Sequence, residues 1–171
     1  MGINGTDKKR RSIDFSVKAS WLAFSKLYNM LGIPHGLTHS NGFVLLNIDT
    51  VYGTPATKIA PSLGMEARSL TRMLKTMEEN GWITKEADEY DKRKAIIKLT
   101  PIGREKRELS RITVKYVHHK ISKMVNQEDM EKFFKVIEAV SGVIDDLMEN
   151  PPTPETYEKE VLGAELVFAR K

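Results

Sequence analysis

From Ser12 onward the apolar residues fall at helical spacing. Phe24, Leu27, Tyr28 and Leu31 recur at i, i+3, i+4 and i+7, and Val17 and Trp21 carry the stripe upstream. Gly32 and Pro34 stop that helix. Thr38 suits the N-cap of a second, shorter helix bearing Phe43, Leu46 and Ile48, with Gly53 closing it. Thr54 is expected to cap a third helix with Pro55 at its first position, where the missing N–H costs nothing. Ile59, Ala60 and Leu63 then face inward, and Gly64 makes a tight turn. Glu66 opens a fourth helix, its carboxylate matched to the positive end of the helix dipole. Leu70, Met73, Leu74 and Met77 form its inward stripe, and Asn80-Gly81 ends it.

The period then changes. Trp82 to Ala87 and Ala95 to Leu99 alternate as two short strands around the polar loop DEYDKRK. Thr100-Pro101 starts a long helix reaching about Met124, with Ile102, Leu109, Ile112, Tyr116 and Ile121 on one face. Asn126 and Asp129 open another, with Met130, Phe133, Phe134, Ile137, Val140, Ile144 and Leu147 at helical spacing. Asn150-Pro151-Pro152 stops it, and Thr153-Pro154-Glu155 marks one more helix start. The tail keeps Val161, Leu162, Leu166, Val167 and Phe168, too apolar for a free tail.

This order predicts a mainly α fold with a small β-hairpin wing: a winged helix-turn-helix flanked by long dimerisation helices. Residues 1–36 are an N-terminal arm and first dimerisation helix, and 37–103 the winged helix-turn-helix. Residues 104–150 supply the C-terminal dimerisation helices, and 151–171 an extension. Dimerisation is expected because the late helices carry more apolar residues than one core uses, and such stripes mark interfaces. A two-fold dimer sets two reading helices about 34 Å apart, one DNA turn.

Charge sharpens the picture. The chain's net charge is only +4, yet residues 1–127 hold 22 Lys and Arg against 12 Asp and Glu. Residues 128–160 hold 3 against 10. Such asymmetry suits one face toward phosphates and another toward solvent or a partner. Lys8, Lys9, Arg10 and Arg11 make a basic arm able to touch a DNA backbone. The chain has no cysteine, which excludes disulfides and thiolate zinc sites and fits a cytoplasmic setting. No apolar run approaches the ~20 residues of a membrane span. No Gly-rich phosphate loop or Gly-x-Ser-x-Gly elbow is present, so an enzyme reading has little support.

The fourth helix carries the candidate chemistry. Opposite its apolar stripe lie Arg68, Arg72 and Lys75, flanked by Ser69, Thr71 and Thr76. Arg forks onto guanine O6 and N7, and hydroxyls and Lys reach bases or phosphates. The bland alternative is an ordinary amphipathic surface helix. The loop that follows adds Asp91, Lys92, Arg93 and Lys94. A protruding Arg fits the narrow minor groove, and Asp91 is placed to brace Arg93.

These residues together resemble the MarR family of bacterial transcription regulators. The likeness rests on Leu37-Thr38 with Phe43 and Leu46; on Ile59-Ala60, Leu63-Gly64 and Leu70-Thr71-Arg72; and on Met77 to Ile83. Asp91-Lys92-Arg93, Leu99-Thr100 and Gly103 complete it. The resemblance implies a homodimer on palindromic double-stranded DNA, with repression relieved by a small organic effector. It implies base contacts from Arg68, Ser69, Thr71 and Arg72 and a wing contact from Arg93. Glu66 departs from the family's usual Ser or Thr, and the extension after Asn150 exceeds its usual length.

The effector pocket expected from the family lies between the dimerisation helices and the helix-turn-helix, where Trp21, Tyr28, His39, Tyr52 and Tyr116 are candidates for its lining. Core packing is the competing role for these aromatics. His35 and His39 are four apart but divided by Gly36 and the Thr38 cap, and His118 and His119 point apart, so no metal or other cofactor is expected. Two other functions stay open: a winged-helix module binding a protein partner through its acidic late helix, and an architectural DNA binder without sequence preference.

Overall fold

Helix α1 (Ile13–Gly32) runs unbroken until Gly32, whose bare Cα lets the chain fold back on Leu37. The structure is a computed structural model describing residues 12–88, 91–92 and 94–168, the last six of these without their side chains. A short 3-10 turn, Ile33–His35, built on Pro34, leads to Thr38. Thr38 then caps α2 (His39–Leu46) reciprocally: its Oγ1 accepts from Asn41 N–H, and its own N–H donates to Asn41 Oδ1.

α2 is shorter than expected. Asn47 caps it, its Nδ2 donating to Phe43 O, and the Asp49 carboxylate then accepts from the Val51 and Tyr52 N–H groups at 2.8 and 2.7 Å. That competition from side chains ends the helix before Ile48. Gly53 is therefore not a helix stop. It has φ +75°, and a Cβ there would lie 2.7 Å from Ile97 O, so it admits the chain to the sheet.

A second expectation fails at the next residue. Thr54-Pro55 forms strand β1, antiparallel to β3 (Ala95–Leu99), with Thr54 opposite Ile97. Thr54 Oγ1 accepts from Asp49 N–H at 2.8 Å instead of capping a helix, and Pro55 occupies the cap of α3 (Ala56–Ser62). Proline is tolerated because β1 is an edge strand. After Gly64 comes α4 (Ala67–Glu79), with Glu66 at its cap making no side-chain bond. β2 (Ile83–Ala87) pairs with β3 from Ile83↔Leu99 to Ala87↔Ala95, giving the order β1-β3-β2.

The core lies inside the winged region. Val44, Leu45, Ile48, Ile59, Met77, Ile83 and Ile97 are all under 2% exposed, and Leu70, Leu74, Trp82 and Leu99 close around them. At about 1.5–3 kcal/mol per fully buried side chain, those seven supply on the order of 10–20 kcal/mol before entropy is counted.

α5 (Pro101–Ser122) buries a face that its apolar spacing does not mark. Its buried positions are Gly103, Ser110 and Val117, seven residues apart. Ile102, Ile112 and Tyr116 on the expected face are about half exposed, and Leu109 packs only at the core's margin. Small residues let α5 approach closely. A Cβ on Gly103 would overlap the Trp82 carbonyl oxygen and lie 2.9 Å from its carbon. Thr100 ties the same spot, its Oγ1 donating to Gly81 O at 2.6 Å and accepting from Gly103 N–H at 3.0 Å. One turn on, Lys106 Nζ donates to His35 O at 2.6 Å and sits 5.7 Å from the Trp82 ring centroid.

The chain divides into two compact units after His118. The second holds α6 (Gln127–Glu149), capped by Asn126 Oδ1 accepting from Asp129 N–H, and α7 (Pro154–Phe168). No residue of α6 is buried.

Candidate nucleic-acid interface

α4 divides by face as its spacing predicts. Leu70, Leu74 and Met77 are buried, while Arg68, Ser69, Thr71, Arg72 and Lys75 are exposed. Among the described residues neither Arg68 nor Arg72 has an ion-pair partner, so both guanidinium forks are free for a phosphate or base edge. Lys75 lies 3.8 Å from Glu79, an exposed pair worth little. Thr71 and Thr76 each donate their hydroxyl back to the carbonyl four residues earlier, Ala67 O and Arg72 O. Thr71 therefore presents lone pairs, not a proton, unless its rotamer changes.

One flank of α4 holds residues the sequence reading missed. Ser69, Arg72, Met73 and Thr76 line a groove together with Thr38, Asn41 and Trp82. The groove places the N-terminus of α2, with its partial positive charge, beside the α4 cations. The Thr38-x-x-Asn41 capping pattern was the available signal.

The wing is fastened to its surroundings. Lys85 pairs with Glu78 of α4, and Lys98 with Glu86 across the hairpin, both at 2.6 Å. At the tip, Asp91 N–H donates to Asp88 Oδ1 at 2.9 Å, and Asp91 Oδ2 lies 3.5 Å from Lys94 Nζ. Lys92 is exposed. Arg93, and with it the expected brace from Asp91, lies outside the described residues, as do Lys8, Lys9, Arg10 and Arg11 of the arm.

A second feature lies behind this surface. Tyr28, Leu37, His39, Phe43, Ser110 and Val114 line a cleft between α1, α2 and α5. His39 is only 8% exposed and its Nε2 has no hydrogen-bond partner. Its ring lies 4.9 Å from Trp21, 5.5 Å from Tyr28 and 4.7 Å from Phe43. Burial pushes the His39 imidazole below its ordinary value and the Tyr28 phenol above its own. So Trp21, Tyr28 and His39 of the expected pocket come together, but two residues do not. Tyr52 stands 81% exposed at the apex of the Asp49 turn, and Tyr116 lies on the half-exposed face of α5. The Asp49 turn and the Gly103-Ser110-Val117 contact turn those two rings away. His35 lies in the 3-10 turn and His39 at the start of α2. Among the described residues no helix is long and apolar enough to cross a membrane.

The model of the MarR family matches residues 37–95. The HTH-type transcriptional regulator TtmR of Methylorubrum extorquens (strain PA1) is 33% identical over 90 residues, 53% of this chain and 46% of TtmR. The chain thus spans less than half of that relative. The uncharacterized HTH-type transcriptional regulator YwoH of Bacillus subtilis (strain 168) is 31% identical over 100 residues, 58% of this chain and 72% of YwoH. Among solved structures, the S. aureus MepR–DNA complex superposes with a TM-score of 0.70 at 15% identity, covering 77% of this chain and 98% of MepR. CouR from Rhodococcus jostii RHA1 bound to p-coumaroyl-CoA gives 0.65 at 16% identity, covering 84% and 95%. The two structures establish the fold and YwoH the kinship: with its winged helix-turn-helix matched from Leu37 to Ala95, this chain belongs to the MarR family.

Proposed function

We propose that the chain is a homodimeric, sequence-specific DNA-binding transcription regulator of the cytoplasm, a repressor whose affinity for a palindromic operator is tuned by a small organic molecule. The observation that carries the reading is α4: an exposed face of Arg68, Arg72 and Lys75 directly opposite a buried stripe, beside a fastened hairpin. MepR, of the same fold, is a DNA complex. α6 supports the dimer. Its apolar residues from Met130 to Met148 sweep roughly half the helix circumference, and none is buried in the single chain. The cleft beside α2 supports ligand control, and CouR, again of the same fold, carries p-coumaroyl-CoA. Its free space is about 30 Å³, room for one water, so an effector would have to part α5 from α2 and so move the reading head.

Binding-site selection from random duplexes tests the reading, with a palindrome of half-sites about one turn apart expected. On the selected site, Arg72→Ala should cost about 1–3 kcal/mol and relax preference at one base pair. Arg93→Ala should act evenly across sequences and lower the salt slope by about one. Unchanged binding in both variants would overturn the assignment.

A further inference from the structure

An open groove of about 380 Å³ runs between α3 and α4. Ala60, Pro61, Met65, Ala67, Leu70 and Thr71 line it, and no charged side chain does. Ala67 and Thr71 are both exposed and stand one turn apart on α4. The Thr71 hydroxyl is engaged within the helix, donating to Ala67 O at 2.8 Å. A threonine carries two groups on Cβ, so holding Oγ1 against the helix leaves the Cγ2 methyl as the group offered outward. The residues that follow each in sequence, Arg68 and Arg72, are exposed and have no ion-pair partner among the described residues. An apolar wall thus runs beside two free cations, the combination suited to a base edge flanked by phosphates.

We propose that Thr71 and Ala67 select a thymine in each half-site by its 5-methyl group, with Thr71 acting through Cγ2 and not through its hydroxyl. Among the four bases only thymine carries a methyl into the major groove. Thr71 has no free proton for the acceptors of guanine, whereas burying a thymine methyl against Ala67 and Cγ2 is favourable. The competing chemistry is a Thr71 lone pair accepting from the amino group of adenine or cytosine, which needs the hydroxyl and not the methyl. The inference rests on the DNA-reading function above and names the base that this part of α4 selects.

The test uses the full chain and the operator obtained by site selection, with deoxyuridine replacing thymidine one position at a time. Each replacement deletes a single methyl from the DNA and leaves the protein untouched. At one position per half-site the wild-type chain should bind the uracil operator about three- to fivefold more weakly, the worth of one buried methyl. Thr71→Ser removes Cγ2 but keeps a hydroxyl able to bond Ala67 O, and should lose most of that preference. Thr71→Val keeps the branched shape without the hydroxyl, and should retain it. Indifference of the wild-type chain to uracil at every position overturns the proposal. So does a preference that Thr71→Ser leaves unchanged, or one that vanishes in Thr71→Val, the mark of the lone pair. If no site is selected, the proposal falls together with the DNA-reading function. If a site is selected and Arg72→Ala weakens it while uracil equals thymine throughout, the proposal alone falls.

Discussion

Gly103→Ala and Gly142→Ala make the same chemical change inside two helices, and the structure gives them opposite signs. Intrinsic propensity favours alanine by about 1 kcal/mol at either position. At Gly142 an added Cβ meets nothing within 4 Å, so the gain should appear nearly in full. At Gly103 the Cβ overlaps the Trp82 carbonyl, which is backbone and has no rotamer to yield. α5 must then lift from the wing root, straining the bonds that meet there. These are Thr100 N–H to Trp82 O at 3.1 Å, Thr100 Oγ1 to Gly81 O, and Gly103 N–H to Thr100 Oγ1. Two or three bonds at about 1 kcal/mol each, less the propensity gain, leave a loss of about 1–3 kcal/mol. For a chain of this size that lowers the melting temperature by roughly 3–10 °C, whereas Gly142→Ala should raise it by about 2–4 °C. Thermal unfolding followed by far-UV circular dichroism suits the comparison, since it reports the helices of both units. Shifts of the same sign would refute the close-approach account and leave propensity as sufficient.

Two further outcomes concern protonation and local turns. Because burial lowers the His39 value in the folded state, the unfolded chain binds the proton more readily; stability is full above the ordinary histidine value of about 6.5 and falls as pH drops through it. His39→Phe should flatten that slope between about pH 7 and 5 in denaturant titrations, and an unchanged slope would count against a neutral buried ring. Asp49 is held below its ordinary 3.8 by the Tyr52 and Val51 amides, so its contribution is present above that value and lost as pH falls through the lower folded one. Asp49→Asn should remove this part of the acid limb and loosen the turn before β1, read as faster amide exchange at Val51 and Tyr52.

The apolar stripes of α4 and the pairing of β2 with β3 were legible because each side chain there serves one face, so period alone reports them. β1 was not, because a two-residue strand has no period, and Thr54-Pro55 reads equally well as a helix cap. The buried face of α5 escaped for a different reason. Gly103 and Ser110 are chosen for smallness, which hydrophobic patterning scores as nothing, while Ile112 and Tyr116 advertise a face that the single chain leaves exposed. In the interface, exposure of Arg68 and Arg72 followed from α4's period. The role of Asn41 beside Arg72 needed the α2 cap to be seen in space. Tyr52 and Tyr116 were grouped with the cleft by residue type alone, and backbone direction separates them from it.

The bond from Lys106 to His35 joins positions 71 residues apart. Closing a loop of that length costs about 4 kcal/mol of chain entropy. A hydrogen bond to a charged group returns only about 1.5–3 kcal/mol. Lys106 therefore cannot gather the chain; it fastens segments that the core between Val44 and Leu99 has already brought together. A bond added to a core already assembled is expected to form after the folding barrier is crossed and to part early on unfolding. Such a late bond governs how long the folded state lasts rather than how quickly it forms.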